Sequence, residues 1–567
     1  MTLPQAESLP SSTSVSRDET LRSLARECAF PGQAGSVTVL QTHISAVFLR
    51  GELAYKIKKP VTLPFLDFST VERRRFFCTE EVRINREWAP DVYLGVVPVT
   101  READGLCFDG KGPIVDWAVK MRRLPESATL RSRLNQGLLR PGHLVRTAQR
   151  IAAIHRAAEC CVGDRAVQAE SAFRVRLREN WDFAHLLPAH VIEPQVLQRL
   201  ESLSDEWLRR LDETLRRRAR LGHIRELHGD LRLEHVYLFA DRSPPQDVLI
   251  LDGIEFDPAL RLIDTVADVA FLMMELSFAG RRDLARDFAN CYFAETNDEG
   301  GQSLLPLFVA YRSAVRGKVA AILGSQPEIP PVDQDKALAR SQAHWLLCLS
   351  ELESPDRRPA LVLVSGLPGT GKSTLARGLA EAAHFDEVLR SDVIRKEAVT
   401  YQCRAGLESP PSLDVIGDGW VGLPDLSTTQ SVIEVADLYS DAHNERTYDE
   451  CRFRARQCLL AGGRVIVDAT FHRESIRRRF LQLALDCGAR CVWLDCVAPA
   501  EVVKRRLDAR RGDASDADWS VYQKLREHWE EPSELSARNH AVVESGGLAA
   551  DALDAARNVL RAQGLLS

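Results

Sequence analysis

A chain of 567 residues exceeds what one hydrophobic core holds, so two or more domains are expected. Hydrophobic residues at 45% and charged residues at 27% are ordinary for globular protein. The net charge of −6 excludes a global basic field, so no obligate nucleic-acid partner is indicated.

In chain order, residues 1–25 begin rich in Ser, Thr and Pro and read as a disordered leader. Strand signals follow at 37–40, 46–49 and 53–57, the last two joined as a hairpin around Arg50-Gly51-Glu52. A charged amphipathic helix spans about 70–88, and strands are expected at 92–99 and 115–121. From about 130 to 221 the apolar spacing is helical. Strand-like runs at 236–239 and 248–251 interrupt it, and helices resume from about 262 to 353. The polar, proline-flanked stretch 354–359 reads as a linker. Beyond it, strand signals at 360–364, 386–390, 464–468, 490–495 and 540–543 alternate with helices, which predicts a parallel, helix-flanked sheet. Residues 403–431, with Pro410 and Pro411, read as a surface excursion. Thirteen cysteines lack paired C-x-x-C spacing, so neither a zinc site nor a disulfide framework is indicated. No apolar stretch approaches the roughly 20 residues that cross a bilayer. With no signal peptide, a cytoplasmic location without membrane partner is expected.

The most informative stretch is Ser365-Gly366-Leu367-Pro368-Gly369-Thr370-Gly371-Lys372-Ser373-Thr374. It matches G-x-x-x-x-G-K-[ST], follows a β-branched strand and opens a helix. Glycines let consecutive amides turn inward on phosphates, and the helix start adds positive potential. Lys372 would reach the β- and γ-phosphates of ATP or GTP, and the Ser373 hydroxyl would ligate Mg²⁺. The run 464–468 is a second strand ending in a carboxylate, Asp468, placed to hold Mg²⁺ beside Ser373.

A second constellation is His228-Gly229-Asp230, with His235 five residues on, followed by Leu251-Asp252-Gly253-Ile254-Glu255. Two carboxylates on loops in that order suit phosphoryl transfer. Asp230 would accept the acceptor hydroxyl's proton and Asp252 would hold the metal.

This region resembles the aminoglycoside-phosphotransferase branch of the protein-kinase-like fold. Together with Val47-Phe48-Leu49, Tyr55-Lys56-Ile57-Lys58-Lys59-Pro60, Phe65-Leu66-Asp67-Phe68-Ser69 and Tyr93-Leu94-Gly95-Val96-Val97-Pro98, nearly the whole chain after residue 30 resembles a bacterial two-domain family. That family fuses such a domain to a C-terminal P-loop domain of AAA, zeta-toxin-like or polynucleotide-kinase-like type. The resemblance implies Lys56 as the strand lysine that meets the nucleotide, with Lys58 as rival, paired to Glu80 or Glu81. It departs from the kinase pattern at His235, where Asn is expected; the imidazole is a candidate metal ligand in its place. Similarity to small-molecule, polynucleotide and zeta-toxin-like kinases implies that Asp392 orients or deprotonates the acceptor hydroxyl and that Arg395 holds an acceptor phosphate or the transferring group. It further implies that Arg510 or Arg511 is a lid arginine.

The expected fold class is therefore α+β and α/β: a bilobal protein-kinase-like domain over 30–350 and a P-loop NTPase sheet flanked by helices over 360–567. The expected function is transfer of the γ-phosphoryl group of Mg-ATP to the hydroxyl of a small molecule or nucleic-acid end. Two alternatives stand beside it, a nucleotide-binding regulator with a pseudokinase first domain and a polynucleotide end kinase.

Overall fold

The computed structural model describes residues 17–397, 441–510 and 517–567, apart from positions 31, 34, 43, 64, 65 and 328. The leader up to residue 16, the stretch 403–431 and Arg511 thus lie outside the described residues. The chain forms two compact units: Met1–Arg174 with Asp212–Ser277 and Arg281–Leu305, and Val175–Leu211 with Phe278–Gly280 and Pro306–Ser567.

The first unit begins with a six-stranded antiparallel sheet ordered Thr38–Gln41, Ser45–Arg50, Leu53–Lys58, Ile114–Arg122, Tyr93–Glu102, Gly105–Phe108. Arg50 pairs with Leu53, leaving Gly51-Glu52 as a two-residue turn in which Gly51 takes φ +52°. The helix Val71–Trp88 starts where the Thr70 side chain accepts the Arg73 amide. Its buried face carries Arg74, Cys78, Glu81, Asn85 and Trp88, so charged residues are drawn inside with the apolar ones. Ala54, Val82, Val119, Met121 and Leu249 share one core, which joins this helix and sheet to the strand pair Val236–Leu238 and Val248–Ile250.

Residues Leu262–Asp264 form a strand antiparallel to Ile224–Glu226, where helix was expected from 262. Three-residue strands show no alternation to read; their pairing across intervening chain decides them. Behind them Arg218 is buried between Asp264 (2.8 Å) and Asp298.

The second unit is built on a five-stranded parallel sheet in the order Glu387–Arg390, Arg464–Asp468, Ala360–Ser365, Arg490–Val497, His540–Glu544. The central strand Ala360–Ser365 is buried at every position, as a strand covered on both faces must be. Leu375, Ala376 and Leu379 of helix Lys372–Ala382 and Ala552, Ala556 and Leu560 of helix Ala549–Ala562 fill one core with it.

Helix Pro331–Leu352 belongs to this unit and packs on helix Glu474–Asp486. Trp207 Nε1 donates to the Leu352 carbonyl at 2.8 Å, and Arg199 Nε to Glu353 at 2.8 Å. Residues 354–359 lie inside the unit. Arg464 donates to the Pro355 carbonyl (2.8 Å), Arg358 to that of Gly564 (2.9 Å), and the Ser567 amide to Asp356 (3.0 Å). No described helix is long and apolar enough to cross a membrane.

Gly488 shows how closely this helix approaches. It takes φ +58°, and a Cβ there would sit 2.2 Å from the Ala343 carbonyl oxygen. Gly488→Ala therefore combines left-handed backbone strain with a backbone clash. A destabilisation of about 2–4 kcal/mol is expected, read as a lowered unfolding temperature of the full chain. An unchanged unfolding temperature would contradict the packing of helix Pro331–Leu352 on this unit.

Candidate active sites

In the first unit, Lys56 and Lys58 lie two apart on strand Leu53–Lys58, so their side chains share a face. Glu81 bridges them, with Oε1 2.9 Å from Lys56 Nζ and Oε2 2.8 Å from Lys58 Nζ. Glu80 instead pairs with Arg83 at the helix surface (2.9 Å). Lys56 also meets Asp252 Oδ1 at 2.5 Å, whereas Lys58 is fully buried and bonds Glu255. The two lysines thus differ in access: Lys56 faces the loop carrying Asp252, and Lys58 is sealed inside.

Burial works against every charge here, and its balance with the charged partners sets each outcome. Glu81 stays below the usual carboxylate range because two ammonium groups outweigh its desolvation. Asp252 is likewise driven well down by Lys56 and His235 against its burial. Glu255 is pushed up, because desolvation exceeds what Lys58 returns.

Asp252 has φ +67°, an unusual backbone state for a non-glycine residue. It is held there by its amide donating to Tyr93 Oη (3.1 Å) and by the Gly253 amide donating to Asn85 Oδ1 (2.8 Å).

Asp230 is reached by two histidines. Burial lowers the pKa of His228. It donates from Nε2 to the Leu251 carbonyl at 2.8 Å and accepts the Asp230 amide at Nδ1, 3.3 Å away. His235 Nδ1 donates to the Asp230 carbonyl (2.8 Å), which leaves Nε2 directed toward Glu234 (3.7 Å) and Asp252 (3.8 Å).

Asp268, which the sequence reading passed over, underlies the loop. It is wholly buried, accepts the Gly229 amide at 2.9 Å and that of His228 at 3.4 Å, and faces His155 Nε2 at 3.2 Å. No local pattern marks Asp268; with Glu275 it is one of two acidic residues in the largely apolar, buried helix Thr265–Phe278, and that contrast was the available signal.

In the second unit, Gly366, Gly369 and Gly371 have φ of +141°, +82° and +98°. Only glycine takes such values without strain. A Cβ on Gly369 would meet Val503 at 2.9 Å, so the helix Ala500–Asp508 also demands glycine there. Pro368 and Thr370 lie in the turn, with the Thr370 amide donating to the Leu367 carbonyl (3.3 Å). Lys372 and Ser373 open the helix, and the Thr374 amide donates to Gly371 (3.1 Å).

Asp468 ends its strand level with Val364 on one side and Arg390 on the other. It is 3% exposed, its Oδ2 lies 3.4 Å from Arg390 Nε, and its Oδ1 has no hydrogen-bond partner. Burial raises its pKa above the ordinary aspartate value, opposed by the Lys372 charge, the Ser373 hydroxyl and Arg390.

Asp392 follows the adjacent strand and holds Arg395 Nη1 at 3.0 Å, while Arg395 Nη2 donates to Asn444 (3.0 Å). Arg510 lies just beyond the helix Ala500–Asp508. Arg506, on the helix that leads to Arg510, touches the P-loop instead. It donates to the Thr370 carbonyl at 3.3 Å and to the Ser545 carbonyl at 2.8 Å.

A buried carboxylate oxygen with no partner beside a P-loop hydroxyl fits a divalent cation. Among the described residues no group of three or more His, Cys, Asp or Glu side chains could hold a metal ion. Mg²⁺ suits such a sparse site, since it keeps waters and takes remaining ligands from phosphates.

Three comparisons with known proteins bear on this geometry. The family described as AAA domain matches residues 361–532. The uncharacterised protein Rv2004c of Mycobacterium tuberculosis strain H37Rv is 31% identical over 484 residues, covering 85% of this chain and 88% of that protein. The chain belongs to the same family as that protein. Among solved structures, a gluconokinase from Sinorhizobium meliloti 1021 aligns with 37% of this chain and 95% of its own, at 16% identity and TM-score 0.26. A choline/ethanolamine kinase family protein from Mesorhizobium loti aligns with 58% and 93%, at 14% identity and TM-score 0.34. The matched stretch 361–532 covers the glycine loop, so the second unit carries a P-loop of the AAA-domain type.

The state of Asp468 carries a stability consequence. Its folded pKa lies above its unfolded value of about 3.9. As pH rises from below the unfolded value through the folded one, the folded state loses stability, and the loss is complete above both. Asp468→Asn should therefore raise the unfolding temperature of the nucleotide-free protein at pH 7 and leave it unchanged near pH 3. The same variant should lose the Mg²⁺-dependent part of stabilisation by ATP. A lower nucleotide-free unfolding temperature at pH 7 would contradict the burial argument.

Proposed function

We propose that the second unit moves the γ-phosphoryl group of ATP to a hydroxyl of an acceptor, a small molecule or a nucleic-acid end. The observation that carries this reading is the unpartnered Asp468 oxygen beside Ser373, at the mouth of a glycine loop opening onto a helix. Ser373 and Asp468 would hold Mg²⁺, which when bound supplies charge neutralisation on the phosphates.

The rest of the work falls to the chain itself. Lys372, buried at the helix start, meets the charge at the transferring end. Asp392 would orient the acceptor hydroxyl and accept its proton; its position two residues past the end of strand Glu387–Arg390, whose Arg390 pairs with Asp468, supports this reading. Arg395, fixed by Asp392 and Asn444, presents a pre-formed guanidinium to an acceptor anion or the transferring group.

A second reading concerns the first unit, where Lys56–Glu81 with Asp230 and Asp252 has the arrangement of a phosphotransferase site. His235 at the position of the expected Asn, with Nδ1 committed to the Asp230 carbonyl, favours nucleotide sensing over turnover there. Asp252 and His235 Nε2, 3.8 Å apart, are the groups of that unit that would hold a metal.

Transfer from γ-labelled ATP to pooled metabolites and 5′-hydroxyl oligonucleotides separates these readings. Lys372→Ala should lower transfer by about a hundredfold or more, the scale of losing one preorganised charge contact. Asp230→Asn should leave it within about twofold. Full transfer by Lys372→Ala together with loss in Asp230→Asn would move the chemistry to the first unit and overturn the proposal.

A further inference from the structure

The Thr370–Gly371 peptide is the point where the P-loop turns into its helix. Its carbonyl oxygen is gripped by side chains from two other elements. Ser545 Oγ donates to it at 2.6 Å, and Arg506 Nη1 at 3.3 Å. The two clamping residues are themselves tied, since Arg506 Nη2 donates to the Ser545 carbonyl at 2.8 Å. Thr370 and Ser545 are buried, and Ser545 is anchored in turn by its amide donating to the Val497 carbonyl (2.8 Å).

A trans peptide carries its C=O and N–H on opposite sides of one plane. Fixing the Thr370 carbonyl toward strand His540–Glu544 and helix Ala500–Asp508 therefore fixes the Gly371 N–H toward the interior of the loop. The φ of +98° at Gly371 permits that orientation, and a Cβ there would already approach Arg506 Nη1 to 3.5 Å. No backbone carbonyl among the described residues takes this amide.

We infer that Arg506 and Ser545 are positioning residues. They hold the Thr370 carbonyl so that the Gly371 amide is aimed in advance at the phosphate chain of the nucleotide. The clamp acts on phosphate recognition and not on the base. Because Arg506 sits on the helix that leads to Arg510, a shift of this helix changes the aim of the amide. The inference rests on nucleotide binding by the P-loop.

Calorimetric titration of the full chain with pyrophosphate, ADP and adenosine tests it, using wild type, Lys372→Ala, Ser545→Ala, Arg506→Lys and Arg506→Met. Arg506→Met and Ser545→Ala should each weaken pyrophosphate and ADP by about tenfold, the scale of one hydrogen bond to a charged or polar acceptor. Adenosine binding should keep its wild-type value, and Arg506→Lys should restore part of the loss. Ser545→Ala carries the test if Arg506→Met does not fold.

Unchanged pyrophosphate affinity in the folded variants, with wild type binding normally, overturns the clamp alone. Loss for ADP with pyrophosphate unaffected assigns Arg506 to the base and also overturns it. Wild type that binds neither pyrophosphate nor ADP overturns both the clamp and the P-loop reading.

Discussion

The second unit depends on holding concentrated negative charge in a protein that is itself net negative. It does so with oriented amides in place of a cationic surface. Glycines at three positive-φ positions turn the backbone inward, and the helix Lys372–Ala382 begins where that turn ends. Lys372 supplies one buried cation, and Asp468 one buried anion that burial itself makes costly. A buried carboxylate oxygen left without a hydrogen-bond partner at that point costs free energy in the empty site and is available to a ligand. The central strand, buried along its whole length, is what keeps the loop rigid enough for these groups to keep their aim.

The first unit solves a different problem with the same means. Two lysines and three carboxylates are packed together, and Glu81 is the member shared by both lysines. Lys58 and Glu255 form the sealed half of the cluster, and Lys56 and Asp252 the half that faces the loop. Asp252 is strained and positively paired, and its neighbouring loop is locked by Asp268 through backbone amides. The backbone of this loop is held independently of Lys56, by Tyr93 at the Asp252 amide and Asn85 at the Gly253 amide, while Glu81 also keeps Lys58.

Much of this was legible in the sequence where chemistry is local. The P-loop, the strand-end Asp468 and the alternation of strand and helix after residue 360 all depend on neighbours in the chain. The choice of Glu81 over Glu80 was also available. Arg74, Cys78, Glu81, Asn85 and Trp88 recur at three- and four-residue spacing, which puts Glu81 on the buried face of helix Val71–Trp88. What stayed hidden depends on distant partners. Arg506 and Ser545 are ordinary residues until the fold brings both to one carbonyl. Helix Pro331–Leu352 joins the second unit through close approaches such as Gly488 on Ala343, which no local pattern encodes. The strand Leu262–Asp264 exists only because Ile224–Glu226 lies beside it.

The central question for this protein is whether the amides between Gly366 and Ser373 hold phosphate. Hydrogen–deuterium exchange of the full chain, with and without Mg-ADP, reads those amides directly. Slower exchange in peptides covering 366–374 on adding nucleotide is the predicted result. Binding of nucleotide with exchange in that stretch unchanged would contradict it.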